Sequence, residues 1–453
     1  MVKKIAIIAA ATVLAASCSS PVGPSEKPFT VPEIREWTPA AGARKVGKNP
    51  RIRYVDDSSL AREEYRLEIT RCGIKAYASD VRGRTWAEST VRQLAARYDG
   101  KVPCGTIRDW PEYEMRGFLL DIARRYFPLE WLYRYIDEMT YYKLNTLHLH
   151  LCDNGGYREY DNVWENVPGF FRLQSDLFPT LASPGESYTK QEYIDLQKYA
   201  ESKGVEIISE FDSPAHSLSY ARCRPEITST IRPDHLDLCN PLTFSMLDSL
   251  YTEFLGGDDP VIRGLRFHAG LDEYRTKDPE VMEQFRVYTN HFLELTESFG
   301  KQACSWGALT DMAGETPVDG HGRIVWAWQN KAADPDSMMA LGFDLLCVPD
   351  YLMYIVPTAG FYNEYLDRQK IYDTWTPAHV GTVVYEENHP KIKGGMFAEW
   401  NDFTTHEYTM EDVHDRVYPA MQVVAAKTWS GTHTSFTFEQ FDEGSQIFVT
   451  YPH

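Results

Sequence analysis

Two carboxylates stand side by side in RFHAGLDEY (266–274), where a small apolar run leads straight into Asp272 and Glu273. Adjacent acids that are buried together resist ionising together, so such a pair persists where it is solvated, bound to a cation, or in use. In use, one carboxyl can deliver a proton to a departing oxygen while its neighbour orients a substrate group, because successive side chains leave an extended backbone in different directions. Other apolar runs end on related residues: Asp121, Asp153, Asp212, Trp306, Trp328, Pro349 with Asp350, and Trp400, in chain order. Acids along one stretch and tryptophans along the next suit a neutral, polyhydroxylated ligand, since carboxylates accept from hydroxyls and indole faces stack on C–H surfaces. That combination describes a carbohydrate site.

These residues need a scaffold that brings strand ends together. From residue 115 the sequence falls into a strand-then-helix rhythm. Strands are predicted at RGFLLDIA (116–123), NTLHLHLCD (145–153), VEIISEFD (205–212), GLRFHAGLDE (264–273), QACSWG (302–307), RIVWAW (323–328), DLLCVP (344–349) and GGMFAEW (394–400). Helical spacing of apolar residues is clearest at 129–143, 189–203 and 282–299. Eight buried strands alternating with helices predict an α/β fold, a (β/α)8 TIM barrel, whose C-terminal strand ends carry the chemistry. A doubly wound sheet is the fallback, but no glycine-rich phosphate turn follows the first strand. The barrel is placed at 111–430, preceded by a small α+β domain over 29–110. In that domain EEYRLEIT (63–70) and GIKAYASD (73–80) read as a hairpin and TWAESTVRQLAARY (85–98) as a helix. Residues 431–453 form an extension with alternating FTFEQF and IFVTY segments and no assigned role.

A net charge of −19 opposes nucleic acid and anionic membrane surfaces, and favours a neutral glycan as partner. The first residues, MVKKIAIIAAATVLAASCSS, read as an export signal, with Lys3 and Lys4 ahead of an apolar run too short to span a bilayer. They resemble a bacterial lipoprotein signal over 1–18 that ends on Cys18, although Ala15 stands where leucine is usual. An exported, cell-envelope protein follows, either lipid-anchored through Cys18 or soluble in the periplasm, with residues 19–28 as a tether. The other seven cysteines contain no CxxC pair, which sets a zinc ribbon aside. Their odd number leaves at least one free; Cys223 and Cys239 could pair.

Taken in order, RGFLLDIARRYFP, NTLHLHLCDNGGYR, EFDSPAHSLSY and FHAGLDE resemble the β-N-acetylhexosaminidases of glycoside hydrolase family 20. The resemblance covers about residues 110–430, and the first domain is similar to the small domain that precedes the barrel in that family. It implies an exo-acting enzyme that releases terminal β-linked GlcNAc or GalNAc with retention, by a substrate-assisted route in which the 2-acetamido oxygen attacks C1 to give an oxazolinium. No cofactor and no metal are implied. On this resemblance Glu273 is the general acid/base, and Asp272 holds the acetamido N–H. An ionised Asp272 is expected to keep Glu273 protonated until it is needed. His216, oriented by Asp153, would tune Glu273, and Tyr354 would hydrogen-bond the acetamido oxygen. Arg116 resembles the arginine that binds the sugar's 3- and 4-hydroxyls, while Trp306, Trp328 and Trp400 would wall the pocket; Trp328 could be exchanged with Trp326.

Two departures from the family pattern stand out. Asn154 occupies a position where a second Asp is frequent. Tyr354-Ile355-Val356 replaces a Tyr-Leu-Asp whose Asp reaches the outer hydroxyls, leaving Asp350, Glu399 and Asp402 as candidates for that role. The second departure keeps open a disaccharide-releasing relative such as a lacto-N-biosidase. A glycan-binding lipoprotein without turnover is a further alternative. So is a metal-dependent amidohydrolase, since His148 and His150 form the His-x-His with which such sites begin.

Overall fold

The computed structural model describes residues 26–47 and 49–448. The export signal, Cys18 and most of the 19–28 tether lie outside the described residues. All eight strands expected of the barrel form: Met115–Asp121, Thr146–His150, Glu206–Ser213, Arg266–Gly270, Gln302–Trp306, Ile324–Ala327, Asp344–Cys347 and Ile392–Glu399. Each pairs in parallel with the next, and the eighth also pairs with the first, which closes the barrel. The strands are buried on both faces, so they read as near-continuous apolar runs rather than alternating ones.

The covering helices start where the sequence encodes caps. Lys190–Ser202 begins with a capping box in which the Thr189 side chain and Glu192 satisfy each other's backbone. Met410–Ser430 begins in the same way on Thr409 and Asp412. Pro279–Ser298 opens with Asp278 as cap and proline in the first turn, where a missing N–H costs nothing.

Strand register sets the barrel's interior layers. Glu210 pairs with His150 on one side and with His268 on the other. With a side-chain period of two, these three side chains therefore share one level inside the barrel. His148 pairs with Ile208, one level below His150. Trp306 pairs with Trp326, so Trp328 lies one level higher, beyond the strand end.

The small domain is a five-stranded sheet backed by the helix Val81–Arg97. The predicted hairpin is present as Tyr65–Ile69 against Ile74–Ala78. Three further strands, Glu36–Lys45, Ile52–Asp56 and Lys101–Asp109, escaped the sequence reading. The first two are largely exposed and carry no apolar alternation to reveal them.

This domain packs against the N-terminal pole of the barrel, and there the structure corrects one expectation. Arg116 is the second residue of the first strand, at the pole opposite the strand ends that carry Asp121 and the other acids. Five residues of strand put roughly 16 Å between those levels. Arg116 is fully buried and bonded to Glu63 of the small domain, and it donates to the carbonyls of Tyr113 (2.8 Å) and Lys143 (3.2 Å). It is an interdomain tie and not a sugar ligand. Arg116→Met leaves Glu63 buried with fewer partners, and is expected to cost about 3 kcal/mol in denaturant unfolding. Turnover per folded molecule should stay unchanged; a raised KM with unaltered stability would return Arg116 to the sugar site.

The described part of the C-terminal segment turns out helical, while residues 449–453, most of the IFVTY stretch, lie outside the described residues. Phe438–Ser445 is capped by Thr437 and Gln440, Phe441 stacks on Tyr372 with ring centroids 4.6 Å apart, and Phe448 is buried beside Phe29. The alternation in FTFEQF is thus not a strand signal; the Thr-x-x-Gln box was the informative feature. All seven described cysteines are free thiols, so Cys223 and Cys239 do not pair.

Candidate active site

The C-terminal pole holds a cavity of about 330 Å³, lined by Arg124, His150, Asp153, Asp212, His216, Asp272, Glu273, Trp306, Trp328, Tyr354, Trp400 and Asp402, together with Arg275, Val356, Phe361 and Tyr362. Each side chain arrives by a local device. The fourth strand ends at Gly270 (φ +73°), and the chain turns through Leu271 and Glu273, both also at positive φ. A Cβ on residue 270 would fall 1.9 Å from Asp212 Oδ1 and 2.6 Å from its Cα, so only glycine lets the two strand ends approach. Left-handed backbone at non-glycine residues is costly and survives only where its surroundings enforce it. Here that backbone presents the acid pair.

Asp153 sits in a three-residue strand that pairs with Gly169–Phe171 just past the second barrel strand. It accepts from Arg124 Nη2 (2.6 Å), His150 Nε2 (2.7 Å) and His216 Nδ1 (2.9 Å). His216 in turn reaches Glu273 Oε2 through Nε2 at 3.1 Å. The expected Asp153–His216–Glu273 line is therefore present, and it extends inward through His150 to Glu210 (2.5 Å), which also accepts from Trp306 Nε1 (2.6 Å). Glu210 thus anchors both the relay and one pocket wall, a role the sequence did not reveal.

Tyr354 arrives by an excursion after the seventh strand: a short helix, Asp350–Met353, then two residues that pair beside the eighth strand at Ala398 and Glu399. Tyr354 lies 5.7 Å, ring to ring, from Trp400, and Trp400 lies 5.8 Å from Trp306 and edge-on to His150. Trp328 also faces the cavity. Trp326 does not: it is sealed in the barrel and donates to His148 Nδ1 at 3.1 Å. His148 itself is fully buried beside His268, away from the cavity that His150 lines, so the His-x-His pair does not face a common opening.

Of the three acids proposed for the outer hydroxyls, Asp402 faces the cavity. Asp350 is engaged with Gln329 and Tyr362, and Glu399 is wholly buried against Asn401. Among the arginines of the first strand motif, the one that reaches the cavity is Arg124. Asp121 holds it in place, accepting from its backbone N–H (2.9 Å) and its Nη1 (3.0 Å). Its sequence signal was available: Arg124 stands three residues beyond a strand-end acid, on the pole where barrels carry their chemistry. Phe361, Tyr362 and Arg275 lie in loops without any local signal.

Electrostatics in the cavity differ from expectation. Burial pushes Asp272 up to about 8, and the neighbouring Glu273 adds to that, against the opposing pull of His216. The hydrogen bond from His216 keeps Glu273 below the ordinary carboxylate range. Burial works against a charge on His216, but the Asp153 carboxylate outweighs it and holds the imidazole well above the usual histidine value. Asp153, although buried, is held low by Arg124 and His216. Asp272 therefore holds its proton and Glu273 is the ionised member of the pair, the reverse of the expected order. The cause is burial: Asp272 is 9% exposed, whereas the Glu273 side chain is 41% exposed. Asp272 Oδ1 is buried and has no hydrogen-bond partner among the described residues.

A closed parallel barrel whose C-terminal rim carries an acid pair in a tryptophan-walled pocket is the architecture of a glycoside hydrolase. Residues 113–432 match glycosyl hydrolase family 20, catalytic domain, and residues 33–110 match domain 2 of the same family; the chain belongs to glycosyl hydrolase family 20. A beta-hexosaminidase of Akkermansia muciniphila is 36% identical over 185 residues, which span 39% of this chain and 36% of that relative. Beta-hexosaminidase subunit A1 of Dictyostelium discoideum is 24% identical over 413 residues, covering 83% of this chain and 72% of its own. The fold is shared with the beta-hexosaminidase of Streptomyces plicatus, solved as a mutant with product GlcNAc (TM-score 0.75, 21% identity, 95% of this chain and 96% of that one). It is shared too with the beta-N-acetylhexosaminidase of Bacteroides fragilis (TM-score 0.72, 20% identity, 88% and 83%).

Proposed function

We propose that the protein is an exo-acting β-N-acetylhexosaminidase that works with retention through the substrate's own 2-acetamido group. The observation that carries this reading is the asymmetry of the acid pair. Asp272 is buried with an unpartnered acceptor oxygen, and Glu273, one residue on, reaches solvent and is tied to a histidine.

In the first step the acetamido oxygen attacks C1, the bond from C1 to the leaving oxygen breaks, and Glu273 gives that oxygen its proton. In the second, water attacks C1 from the vacated side, returns its proton to Glu273 and reopens the oxazolinium. Asp272 Oδ1 accepts the acetamido N–H, and its carboxylate balances the positive charge that develops on the ring. Hydrogen bonding to a charged form favours that form, so substrate lowers Asp272 from its empty-site position. The leaving group covers Glu273 and removes the solvent that favours its anion. Binding thereby moves the proton to the carboxyl that must donate it.

Arg124 offers a guanidinium fork to adjacent hydroxyls, with Asp402 beside it as an acceptor. Trp306, Trp328 and Trp400 enclose the acetamido methyl and sugar face, and Tyr354 stands at the acetamido oxygen. A cavity of about 330 Å³ lies at the small end of ligand sites, which supports release of one sugar at a time over a disaccharide. The names of the relatives, and the GlcNAc recorded in the Streptomyces plicatus enzyme, support a 2-acetamido sugar. The direct test is aryl release from an aryl N-acetyl-β-glucosaminide beside the matching aryl β-glucoside. Cleavage of the first alone is expected; equal cleavage of both would overturn the substrate-assisted route.

A further inference from the structure

Glu273 borders two cavities. One is the sugar pocket; the other, about 140 Å³, lies on its far side and is lined by Tyr157, Trp164, Arg232, His235 and Arg275 among others. A general acid stands at the oxygen between the cleaved sugar and its leaving group, so the leaving group must occupy this second cavity. Its walls are preformed. Tyr157 and Trp164 stack with centroids 4.5 Å apart, and Arg232 lies over the Trp164 ring at 5.2 Å, held by Asp234 through two contacts of 2.9 Å.

Arg275 is different. It is exposed, it lines both cavities, and its guanidinium has no hydrogen bond or ion pair among the described residues. From Arg275 a larger groove of about 910 Å³ continues outward, and it carries Lys277 and Lys331, which are equally without an acidic partner among the described residues. Two of the groove's acids already accept from backbone: Asp237 from the Cys239 N–H (3.0 Å) in a local turn, and Asp278, a helix cap, from the Glu280 N–H (2.9 Å). Asp311 is its third acid. A file of three uncommitted cations leading away from the catalytic acid runs against the character of a chain with net charge −19.

We propose that the leaving-group side recognises an acidic glycan. The sugar next to the released hexosamine stacks between Arg275 and the Tyr157–Trp164 rings and carries a carboxylate or sulfate that pairs with the Arg275 fork. Further acidic residues run along Lys277 and Lys331. The local cations select the anion, while the overall negative charge rejects anionic polymers elsewhere on the surface. This rests on the hexosaminidase reading above, and the substrates below separate the two.

Three substrates are compared: an aryl N-acetyl-β-glucosaminide, GlcNAc β-linked to glucuronic acid, and the same disaccharide with glucose in place of glucuronic acid. The parent protein is expected to prefer the acidic disaccharide by about fivefold in kcat/KM at low salt, with the preference shrinking as salt is added. Arg275→Gln should bring the acidic-to-neutral ratio to about one. Lys277→Gln, whose side chain lies farther along the groove, should leave the disaccharide ratio unchanged. Because each ratio is taken within one protein, a change in the strength of Glu273 cancels. A parent ratio near one, or a ratio that survives Arg275→Gln, overturns the acidic leaving group while leaving the hexosaminidase intact. Failure on the aryl substrate overturns the underlying reading itself.

Discussion

Glu273→Gln is expected to keep its fold and lose turnover by roughly a hundredfold or more on natural glycosides, the range for a missing general acid. The size of the loss should depend on the leaving group. An alcohol leaves as an alkoxide unless a proton meets it, whereas an activated phenol such as dinitrophenol leaves unaided. Kinetics across aryl glycosides of falling leaving-group pKa should therefore show the deficit closing for the first step. Hydrolysis of the oxazolinium then becomes limiting, because the attacking water loses its base. The glutamine keeps a carbonyl oxygen that can accept from His216 Nε2 but has no carboxyl to titrate, so any limb of the pH profile that reports ionisation of Glu273 should vanish. A uniform loss across all leaving groups would mean that Glu273 acts by shape or charge and not by proton transfer.

Asp272→Asn should separate catalysis from stability in opposite directions. Asparagine retains a carbonyl for the acetamido N–H but brings no negative charge to the oxazolinium, and loss of such electrostatic support costs roughly a hundredfold to a thousandfold. Stability moves the other way. In the folded, empty protein Asp272 is raised to about 8 from an ordinary 3.8. A group raised in this way contributes stability that is present below its unfolded value and lost as pH climbs through its folded one. The parent should therefore lose stability from this group between about pH 4 and pH 8, as an unwilling carboxylate forms beside Asp212 and Glu273. The asparagine variant carries no such loss. Its melting temperature should exceed the parent's by about 2 °C at pH 8, with the gap closing toward pH 4. A variant less stable than the parent at pH 8 would show that Asp272 is ionised in the resting site. The site therefore holds a carboxyl that weakens the folded chain until substrate gives it a partner.

The amino-acid order carried much of this by itself. Strand and helix spacing is a local property, so every barrel strand was legible from runs of a few residues, and the strand ends named Asp153, Asp272, Glu273, Trp306 and Trp400 without reference to one another. Capping boxes at Thr189 and Thr409 are equally local. Other features depend on partners far away in the chain. Arg116 and Arg124 are eight residues apart and look alike in sequence; barrel closure puts one beneath the sheet against Glu63 and the other over Asp153. Trp326 and Trp328 differ only by one level of a register set through pairing with Trp306. Asp402, rather than Asp350 or Glu399, meets the cavity because of how the loop beyond the eighth strand folds over Arg124. Which carboxyl of the pair is protonated at rest follows from burial, which exists only after the barrel has closed. Sequence alone determined the elements and the residue types at their ends, since these rest on short-range sterics and periodicity. The tertiary structure decided which ends face the same space and what charge they hold there, since both depend on contacts between residues distant in the chain.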